Sequence, residues 1–231
     1  MGIALNNRAL VTVYGGSGFL GRHTVRAIAQ TGARIRVAVR RPELAGHLQP
    51  LGGVGQIVPV QANVRFPDSL LAAAQDADAV VNLVGILLPT GKQTFKSVQD
   101  EGARNVAEAA KAAGVGTLVH VSAIGADASS ASIFARSKAA GEAAIKDVYK
   151  DATIFRPSVV FGPEDEFFNR FAALARLSPM LPLIGGGHTK FQPVFVGNVA
   201  QSIVAALEGR TSTKAPYELG GAEILTMRQV M

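Results

Sequence analysis

Cysteine and tryptophan are both absent from this chain of 231 residues. Without cysteine there can be no disulfide, no thiolate metal ligand, no iron–sulfur cluster ligated by cysteine and no cysteine nucleophile. The histidines are too scattered to have the spacing of metal ligands; they are His23, His47, His120 and His188. We therefore expect no metal site, and a reducing compartment suits such a chain.

Long apolar runs and targeting signals are also missing. The longest apolar run, residues 79–88, is too short to cross a bilayer and contains Asn82. The N-terminal residues lack the basic and apolar regions of a secretory signal. With 48% hydrophobic and 17% charged residues the chain can bury a substantial core. We expect one large α/β fold without a transmembrane segment.

Positive charge is concentrated near the N-terminus. The first 50 residues contain seven arginines and one acidic residue, Glu43, whereas the remainder is balanced, which gives the net charge of +6. The excess suits a solvated basic face, an anionic cofactor, an acidic partner protein or an anionic lipid surface. Nucleic acid is a weaker candidate, because the basic residues are not interleaved with aromatic ones.

Three glycines at regular intervals follow the first predicted strand. Residues 10–13 are typical of a buried strand, Gly15, Gly18 and Gly21 come next, and a helical pattern of apolar residues follows. In such a strand–turn–helix the first glycine permits a tight turn, the second lets a phosphate approach the backbone, and the third allows close helix packing. The helix N-terminus offers N–H groups to a pyrophosphate. In this context the spacing G-x-x-G-x-x-G predicts dinucleotide binding.

The second predicted strand, residues 34–39, ends at Arg40 and Arg41. In a dinucleotide-binding fold this strand end lies beside the adenosine ribose, where an acidic residue selects NAD and a basic residue accommodates the 2′-phosphate of NADP. Two arginines favour NADP(H), with NAD(H) as the alternative. Asn63 follows the third strand and is a candidate for the adenine edge, while Gly85 after the fourth allows a cofactor to approach closely.

Strands and helices alternate along the chain, which predicts a parallel, doubly wound α/β sheet of the Rossmann type. The further strands are predicted at residues 56–61, 79–84, 117–122, 151–155, 191–196 and 217–219, and the helices at 68–77, 94–113, 132–148 and 198–207. Asp68 is expected to cap the first of these helices, and Gly114 to end the second. Residues 1–160 would form the nucleotide-binding domain, and residues 161–231 a small C-terminal α/β lobe.

The C-terminal part has fewer clear patterns. Residues 181–190 are rich in glycine and proline and are expected to form a loop. The acidic residues 164–166 could form an acid–base group, but they more simply begin a helix. Residues 226–229 have the form of a capping box, and because the chain stops at Met231 we expect further C-terminal sequence.

Several segments together resemble the extended and atypical short-chain dehydrogenase/reductase superfamily, which includes the NAD-dependent epimerases and dehydratases. The segments are YGGSGFLG at 14–21, VVNLVG at 80–85, EGARNVAEAA at 101–110, LVHVSAIGAD at 118–127, ARSKAAGE at 135–142, FRPSVVFGPED at 155–165 and FQPVFVGNVAQSI at 191–203. Three stretches, HVSAIGAD, SKAAGE and RPSVVFGPEDEFFNRFA, are most similar to the branch related to the NADPH-binding accessory subunit of respiratory complex I.

The resemblance implies roles for individual residues around a bound dinucleotide. Those placed around the pyrophosphate are Gly15, Gly18, Phe19, Leu20 and Gly21, and those around the 2′-phosphate are Arg40 and Arg41. Asn63 and Val64 are placed facing the adenine, and Val84 and Gly85 along the adenosine ribose and the pyrophosphate. Those placed near the nicotinamide are Ser122, Lys138, Pro157 and Val160, of which Ser122 and Lys138 hold the catalytic positions.

One position departs from the family pattern. Active members carry a tyrosine four residues before the lysine, and its hydroxyl exchanges a proton during hydride transfer. Here that position is Phe134, which cannot exchange a proton. Tyr149 lies too far beyond Lys138 to replace the missing tyrosine on the same helical face. The departure puts the dehydrogenase chemistry in question but leaves the cofactor site supported.

Two functions follow from these observations. The favoured one is an NADP(H)-binding protein that holds its cofactor structurally, as an accessory or assembly component of a respiratory NADH:quinone oxidoreductase with complex I subunits as partners. The alternative is an active NAD(P)-dependent reductase or epimerase that uses another proton donor or a water. The expected location is cytoplasmic. The resemblance implies an alternative, which is a peripheral position on the inner face of the respiratory membrane.

Overall fold

The computed structural model describes residues 2–177 and 184–230. Its strands are β1 (Leu10–Tyr14), β2 (Arg34–Val39), β3 (Ile57–Gln61), β4 (Ala79–Asn82), β5 (Thr117–Val121), β6 (Thr153–Pro157), β7 (Val160–Phe161), β8 (Lys190–Phe191), β9 (Val194–Phe195), β10 (Tyr217–Leu219) and β11 (Leu225–Thr226). Its α-helices are α1 (Phe19–Ala29), α2 (Pro67–Ala74), α3 (Glu101–Ala112), α4 (Ile133–Val148), α5 (Phe168–Leu177), α6 (Val196–Leu207) and α7 (Met227–Val230).

Seven parallel strands form the main sheet, in the order β10-β6-β5-β4-β1-β2-β3. The chain runs outward from β1 through β2 to β3, and then crosses back to β4 on the other side of β1. This reversal opens a crevice at the carboxyl ends of β1 and β4. The predicted doubly wound parallel sheet is confirmed.

Helices cover both faces of the sheet. One face carries α1 and α6, and the other carries α2, α3 and α4. Side chains of β1 alternate between these layers, so that Val13 packs in the first core while Thr12 and Tyr14 face the second. The Thr12 hydroxyl donates to the Ala73 carbonyl at 2.8 Å, and the Tyr14 hydroxyl to the Leu70 carbonyl at 2.6 Å. Both buried hydroxyls therefore tie the central strand to α2.

Several predicted helix signals are confirmed by the geometry. Gly114 ends α3 with a φ of +67°, the left-handed conformation typical of a residue after a helix. Thr226 Oγ1 accepts from the Gln229 N–H at 3.3 Å, and Gln229 Oε1 accepts from the Thr226 N–H at 2.9 Å, which is the predicted capping box. The role of Asp68 as a cap is wrong. Phe66 occupies the cap position and Pro67 begins α2, because the fixed φ of proline suits the first helical residue.

The long helix predicted over residues 94–113 is interrupted. A turn of π-helix, Lys96–Asp100, precedes α3. The buried Gln99 amide donates to the Ile86 carbonyl at 2.6 Å, and a Cβ on Gly141 of α4 would lie 2.1 Å from the Gln99 carbonyl oxygen. The absence of a side chain at Gly141 thus lets α4 approach the wide turn closely, and the Gln99 amide connects this turn to the loop after β4. The spacing of apolar residues in the sequence does not reveal this change of helical pitch.

Strand ends also differ from the predicted ones. β4 stops at Asn82, because the Asn82 side chain accepts the Val84 N–H at 3.1 Å and turns the backbone away from the ladder. The strand predicted over residues 191–196 is divided into β8 and β9, with Pro193 between them unable to donate a hydrogen bond. Of the loop predicted at residues 181–190, positions 181–183 lie outside the described residues.

The chain after residue 160 contributes to two parts of the molecule. β7 pairs with β9 and β8 pairs with β11, and with α5 and α7 these pairs form a small lobe. By contrast, α6 packs on α1, and β10 pairs with β6 at the edge of the main sheet. The domain division at residue 160 stays a prediction.

Candidate functional site

A cavity of about 250 Å³ opens at the carboxyl ends of the strands next to the reversal of strand order. Of the residues expected to bind a cofactor, those that line it are Gly15, Gly18, Arg40, Asn63, Val64, Val84 and Gly85. They come from the four segments that follow β1, β2, β3 and β4. Open α/β sheets bind their ligands in the crevice at this position.

The three motif glycines have different surroundings. Gly15 has a φ of +79° and donates its N–H to the Ala38 carbonyl at 3.0 Å, so it makes the tight turn. A Cβ on Gly21 would lie 2.4 Å from the Gly15 carbonyl oxygen, so Gly21 allows the helix to pack. A Cβ on Gly18 would meet no protein atom closer than 3.4 Å. The space beside Gly18 therefore belongs to the cavity, where a phosphate has room to reach the backbone.

The N-terminus of α1 faces this site with its backbone groups uncapped. Gly18 is the N-cap residue in an extended conformation, no side chain caps the helix, and its first turn holds no acidic residue. The side chains of Phe19 and Leu20 do not line the cavity. Their expected contribution is through N–H groups at the positive end of the helix dipole, which suits a pyrophosphate.

Two arginines line the cavity, and one of them was not expected. Arg40 lies in the wall, where its Nη1 donates to Gln93 Oε1 at 2.5 Å, and Arg65 also belongs to the lining. Arg41, by contrast, is exposed and precedes a 3₁₀ turn outside the lining. No acidic side chain occurs among the described residues of this lining. The cavity lining is therefore positively charged through residues that follow two strands. Arg65 follows β3, a strand end that the sequence reasoning had assigned to the adenine alone.

Hydrogen bonds fix the backbone after β3. The Asn63 side-chain oxygen accepts the Arg65 N–H at 3.1 Å, and the Asn63 N–H donates to Ser69 Oγ at 3.0 Å. The Val64 carbonyl accepts from the Asn105 amide at 2.8 Å. This segment is thus held rigidly beside the cavity, and the contact of Asn63 and Val64 with adenine stays a prediction.

Lys138 reaches the cavity wall from α4. The side chain is buried, and a Cβ on Gly85 would lie 3.1 Å from its Nζ. Burial lowers the pKa of Lys138 to about 8, partly opposed by the Glu142 carboxylate. A lysine with this pKa is still mostly protonated at neutral pH, so the site presents an ammonium beside the backbone that follows β4.

Ser122 and Phe134 complete the positions that the family uses for chemistry. The Ser122 Oγ is buried, and it is one of two buried side-chain atoms in the described part of the chain that have no hydrogen-bond partner. Phe134 is half-buried, with its ring centroid 5.9 Å from that of Phe95 in an edge-to-face contact. An orphaned buried hydroxyl is unusual and is typical of a site that a ligand completes.

A buried polar pair below Lys138 was missed by the sequence reasoning. Asn82 and His120 occupy matching positions on β4 and β5, and the Asn82 amide donates to His120 Nδ1 at 3.1 Å. Burial, together with the Lys138 charge, lowers the pKa of His120 to about 3, so the ring is neutral. Asn82 also accepts the Val84 N–H, and the pair therefore holds the backbone at Val84 and Gly85 in place. The sequence did contain a signal for this pair, because a polar residue stands near the end of each of two consecutive buried strands.

Pro157 and Val160 lie apart from the cavity lining, at the end of β6 and in β7. A wider groove of about 810 Å³ lies beside α4, β6 and β10 and shares no lining residue with the cavity. Its buried Glu142 carboxylate is paired in two hydrogen bonds with Arg156, at 2.8 and 2.9 Å. We attribute a structural role to that groove's ion pair.

Other candidates for chemistry have structural partners. Asp165 Oδ1 accepts the Phe168 N–H at 2.6 Å, so the acidic residues 164–166 begin α5 as expected. The described residues contain no group of three side chains able to hold a metal ion. Within the same residues, no helix is long and apolar enough to cross a membrane.

Comparison with known proteins gives a consistent set of similarities. The sequence model of the NAD dependent epimerase/dehydratase family matches residues 11–220. The chain is 39% identical over 224 residues to "NADH dehydrogenase [ubiquinone] 1 alpha subcomplex subunit 9, mitochondrial" of Arabidopsis thaliana, covering 96% of this chain and 56% of that protein. It is 34% identical over 203 residues to the ceramide reductase of Caulobacter vibrioides, covering 88% and 62%. The chain thus spans a little over half the length of the curated relatives it matches.

Solved structures share the fold at low sequence identity. The UDP-glucuronic acid 4-epimerase of Bacillus cereus in complex with NAD superposes with a TM-score of 0.81 at 20% identity, over 95% of this chain and 81% of that one. The dTDP-glucose 4,6-dehydratase of Streptomyces venezuelae, with NAD bound, superposes with a TM-score of 0.78 at 23% identity, over 96% and 78%. At these identities the likeness concerns the fold alone.

Proposed function

The chain belongs to the NAD dependent epimerase/dehydratase family, and from that premise we propose that it binds NADP(H) and retains it as a structural cofactor. The proposed cofactor site is the cavity at the ends of β1 to β4. In the proposed function the protein is an accessory or assembly component of a respiratory NADH:quinone oxidoreductase. The more general part of this proposal is the binding of a nicotinamide dinucleotide, which the match to the NAD dependent epimerase/dehydratase family supports.

The observation that carries the proposal is the combination of a cavity lined by residues expected to bind the adenosine and pyrophosphate with Phe134 at the tyrosine position. The glycine turn, the uncapped α1 N-terminus and the Lys138 ammonium support cofactor binding there. A bound nicotinamide would supply hydride transfer, but the residue that would exchange the accompanying proton is replaced by a hydrocarbon ring. Binding without turnover is the function that fits this arrangement best.

The preference for NADP(H) rests on the charge of the adenosine end. Arg40 and Arg65 line the cavity there without an acidic neighbour in the lining. An acidic residue would be required to bond the 2′-hydroxyl of NAD, whereas an arginine can bind the 2′-phosphate of NADP through charge-assisted hydrogen bonds.

The partner in this proposal is suggested by the relatives. Complex I subunits from Arabidopsis thaliana, Dictyostelium discoideum and Mus musculus are 33–39% identical over 91–96% of this chain. We propose that the protein likewise associates with subunits of the respiratory complex, peripherally at the inner face of the membrane. Solubilised membranes separated by size would test this. Comigration of the tagged protein with NADH:quinone oxidoreductase activity supports the association, and migration wholly apart from it contradicts it.

Cofactor retention is tested on purified protein without added nucleotide. Acid extraction and chromatography identify any dinucleotide that copurifies, and calorimetry compares NADPH with NADH on the stripped protein. We expect NADP(H) to copurify and NADPH to bind at least tenfold more tightly. Equal affinities would contradict the NADP preference, and no binding of either would contradict the whole proposal.

A second candidate function is a reductase that uses a different proton source. It is favoured by Ser122 and Lys138, a buried unpartnered hydroxyl and an ammonium of lowered pKa beside the cavity. The ceramide reductase among the relatives is consistent with it. This candidate requires sustained NADPH consumption with a carbonyl substrate, which the structural-cofactor proposal does not.

A further inference from the structure

A second, smaller cavity of about 150 Å³ lies behind the glycine turn. It is bounded by α1, by the 3₁₀ turn Gly46–Leu51 and by the segment that precedes α5. It shares no lining residue with the dinucleotide cavity. The fully buried Leu48 belongs to its lining, so the site is a pocket with an apolar base rather than an open surface.

The polar lining of this pocket is mostly basic. Arg22 and Arg26 stand one helical turn apart on α1 and therefore share a face. His23 lies between them, and His47 comes from the 3₁₀ turn. Glu164 is the one acidic residue among the described residues of this lining. Two permanent positive charges thus face one carboxylate, and the pocket has room for a further anion.

The hydrogen bonds of Arg22 are incomplete. Its Nε is buried and has no partner, and with Ser122 Oγ it is one of the two such atoms in the part of the chain that the structure describes. Glu164 Oε1 lies 3.8 Å from Arg22 Nη1, which is an ion pair but is too long for a hydrogen bond. The Nε–H is therefore a buried donor without an acceptor, and the guanidinium has to turn this edge into the pocket to bind an oxyanion bidentately.

The two histidines are held by other acceptors of the protein. His47 Nδ1 donates to the Leu44 carbonyl at 3.0 Å, so the Nε2 of the neutral ring carries a lone pair and is an acceptor rather than a donor for an oxyanion. His23 Nε2 lies 2.8 Å from Glu164 Oε2, so the carboxylate is held by His23 rather than by Arg22. Glu164 is 43% exposed on its side chain and can move aside for a stronger acceptor.

We propose that Arg22 and Arg26 form a second oxyanion site that binds a phosphate monoester, with Glu164 as an internal competitor. The volume is suited to one phosphate group rather than to a nucleotide. The phosphate can belong to a small metabolite or to a lipid headgroup, since both present the same dianionic oxygens. The site is separate from the dinucleotide cavity and does not require the proposed cofactor function.

Calorimetry with inorganic phosphate and glycerol 3-phosphate tests the site, with sodium chloride holding the ionic strength constant. Binding is measured on the nucleotide-free protein and again with saturating NADPH. We expect phosphate to bind under both conditions. The double variant Arg22→Gln/Arg26→Gln is expected to lose at least tenfold in affinity, and Glu164→Gln to gain about fivefold. The matched control Arg8→Gln removes one charge from an exposed arginine outside the pocket and should change nothing.

One further variant and one vesicle experiment complete the test. Arg22→Lys preserves the charge without the Nε edge, and it should weaken binding several-fold if the contact is bidentate; this single variant also replaces the double one if the latter does not fold. Vesicles with phosphatidic acid, compared with purely zwitterionic ones, distinguish a headgroup from a soluble monoester. Binding of vesicles or monoesters that depends on Arg22 and Arg26 supports the proposal. Binding that is lost with NADPH, unaffected by the arginine variants or absent with all probes overturns it.

Discussion

The Nζ atom of Lys138 lies 5.9 Å from the centroid of the Phe134 ring, one helical turn away on α4. The ring face attracts the ammonium, as an aromatic face attracts any cation. The same position in active relatives of this superfamily carries a tyrosine hydroxyl. Helix α4 therefore carries the lysine of the family's tyrosine–lysine pair, whereas the tyrosine is replaced by a phenylalanine ring that has no hydroxyl proton to exchange.

Cofactor binding and turnover should be separable in this protein. We expect NADPH to raise the melting temperature, because it binds only the folded chain, while its consumption with generic alcohols, ketones and nucleotide sugars stays negligible. Loss of general acid–base assistance costs about 10²–10⁴-fold in rate, so Phe134→Tyr should raise any residual rate by a factor in that range. Absorbance of NADPH measures turnover. Robust turnover by the unmodified protein that disappears in Lys138→Ala would promote the enzyme alternative.

Arg40 and Arg41 should differ in their effect on NADPH affinity. Arg40 lines the cavity and Arg41 does not. Arg40→Ala should weaken NADPH by about 1.5–3 kcal/mol, the range for hydrogen bonds to charged groups, with little effect on NADH. Arg41→Ala should change either affinity by less than about 0.5 kcal/mol, as an exposed substitution does. Calorimetry measures the NADPH affinity of both variants. Equal losses of affinity would show that Arg41 also contacts the cofactor.

Gly18→Val should abolish dinucleotide binding without unfolding the chain. Its Cβ would meet no protein atom closer than 3.4 Å, and the φ of −73° is open to valine, so the fold should tolerate it. It would occupy the space through which the pyrophosphate reaches the backbone. Gly21→Ala provides the contrast, because its Cβ would lie 2.4 Å from a carbonyl oxygen, and it should lower the melting temperature instead. Unchanged affinity in folded Gly18→Val would place the cofactor elsewhere.

Stability above neutral pH should depend on Lys138. Burial lowers its pKa from 10.5 to about 8, so between these values the unfolded chain binds the proton and the folded chain does not. Stability contributed by this group therefore rises with pH from about 8 to 10.5 and is lowest below that window, a difference of at most about 3 kcal/mol. Urea unfolding at pH 7 and pH 10 should show a smaller alkaline gain in Lys138→Met than in the unmodified protein. An identical gain in both proteins would contradict the assignment.

Local patterns determined most of the fold. The buried strands β1 and β2, the glycine turn between β1 and α1, the end of α3 at Gly114 and the capping box at Thr226 all follow from signals within a few residues. Such signals succeed because backbone conformation and burial periodicity are local properties of the chain. These local signals failed where a residue distant in the sequence changed the local geometry. An example is the π-turn, where the Gln99 amide donates to the Ile86 carbonyl.

The sequence by itself determined that a glycine-rich turn would follow the first strand, that arginine would follow the second, and that phenylalanine would stand at the tyrosine position. Only the tertiary structure decided which cations share the cavity. The parallel pairing of β2 with β3 puts the ends of both strands at the cavity, so that Arg40 and Arg65 line it while Arg41 lies outside the lining. The tertiary structure likewise paired Asn82 with His120 through the register of β4 and β5, and left the Ser122 hydroxyl without a hydrogen-bond partner. Contacts between residues far apart in the chain depend on strand register and helix packing, and no pattern within one segment records them.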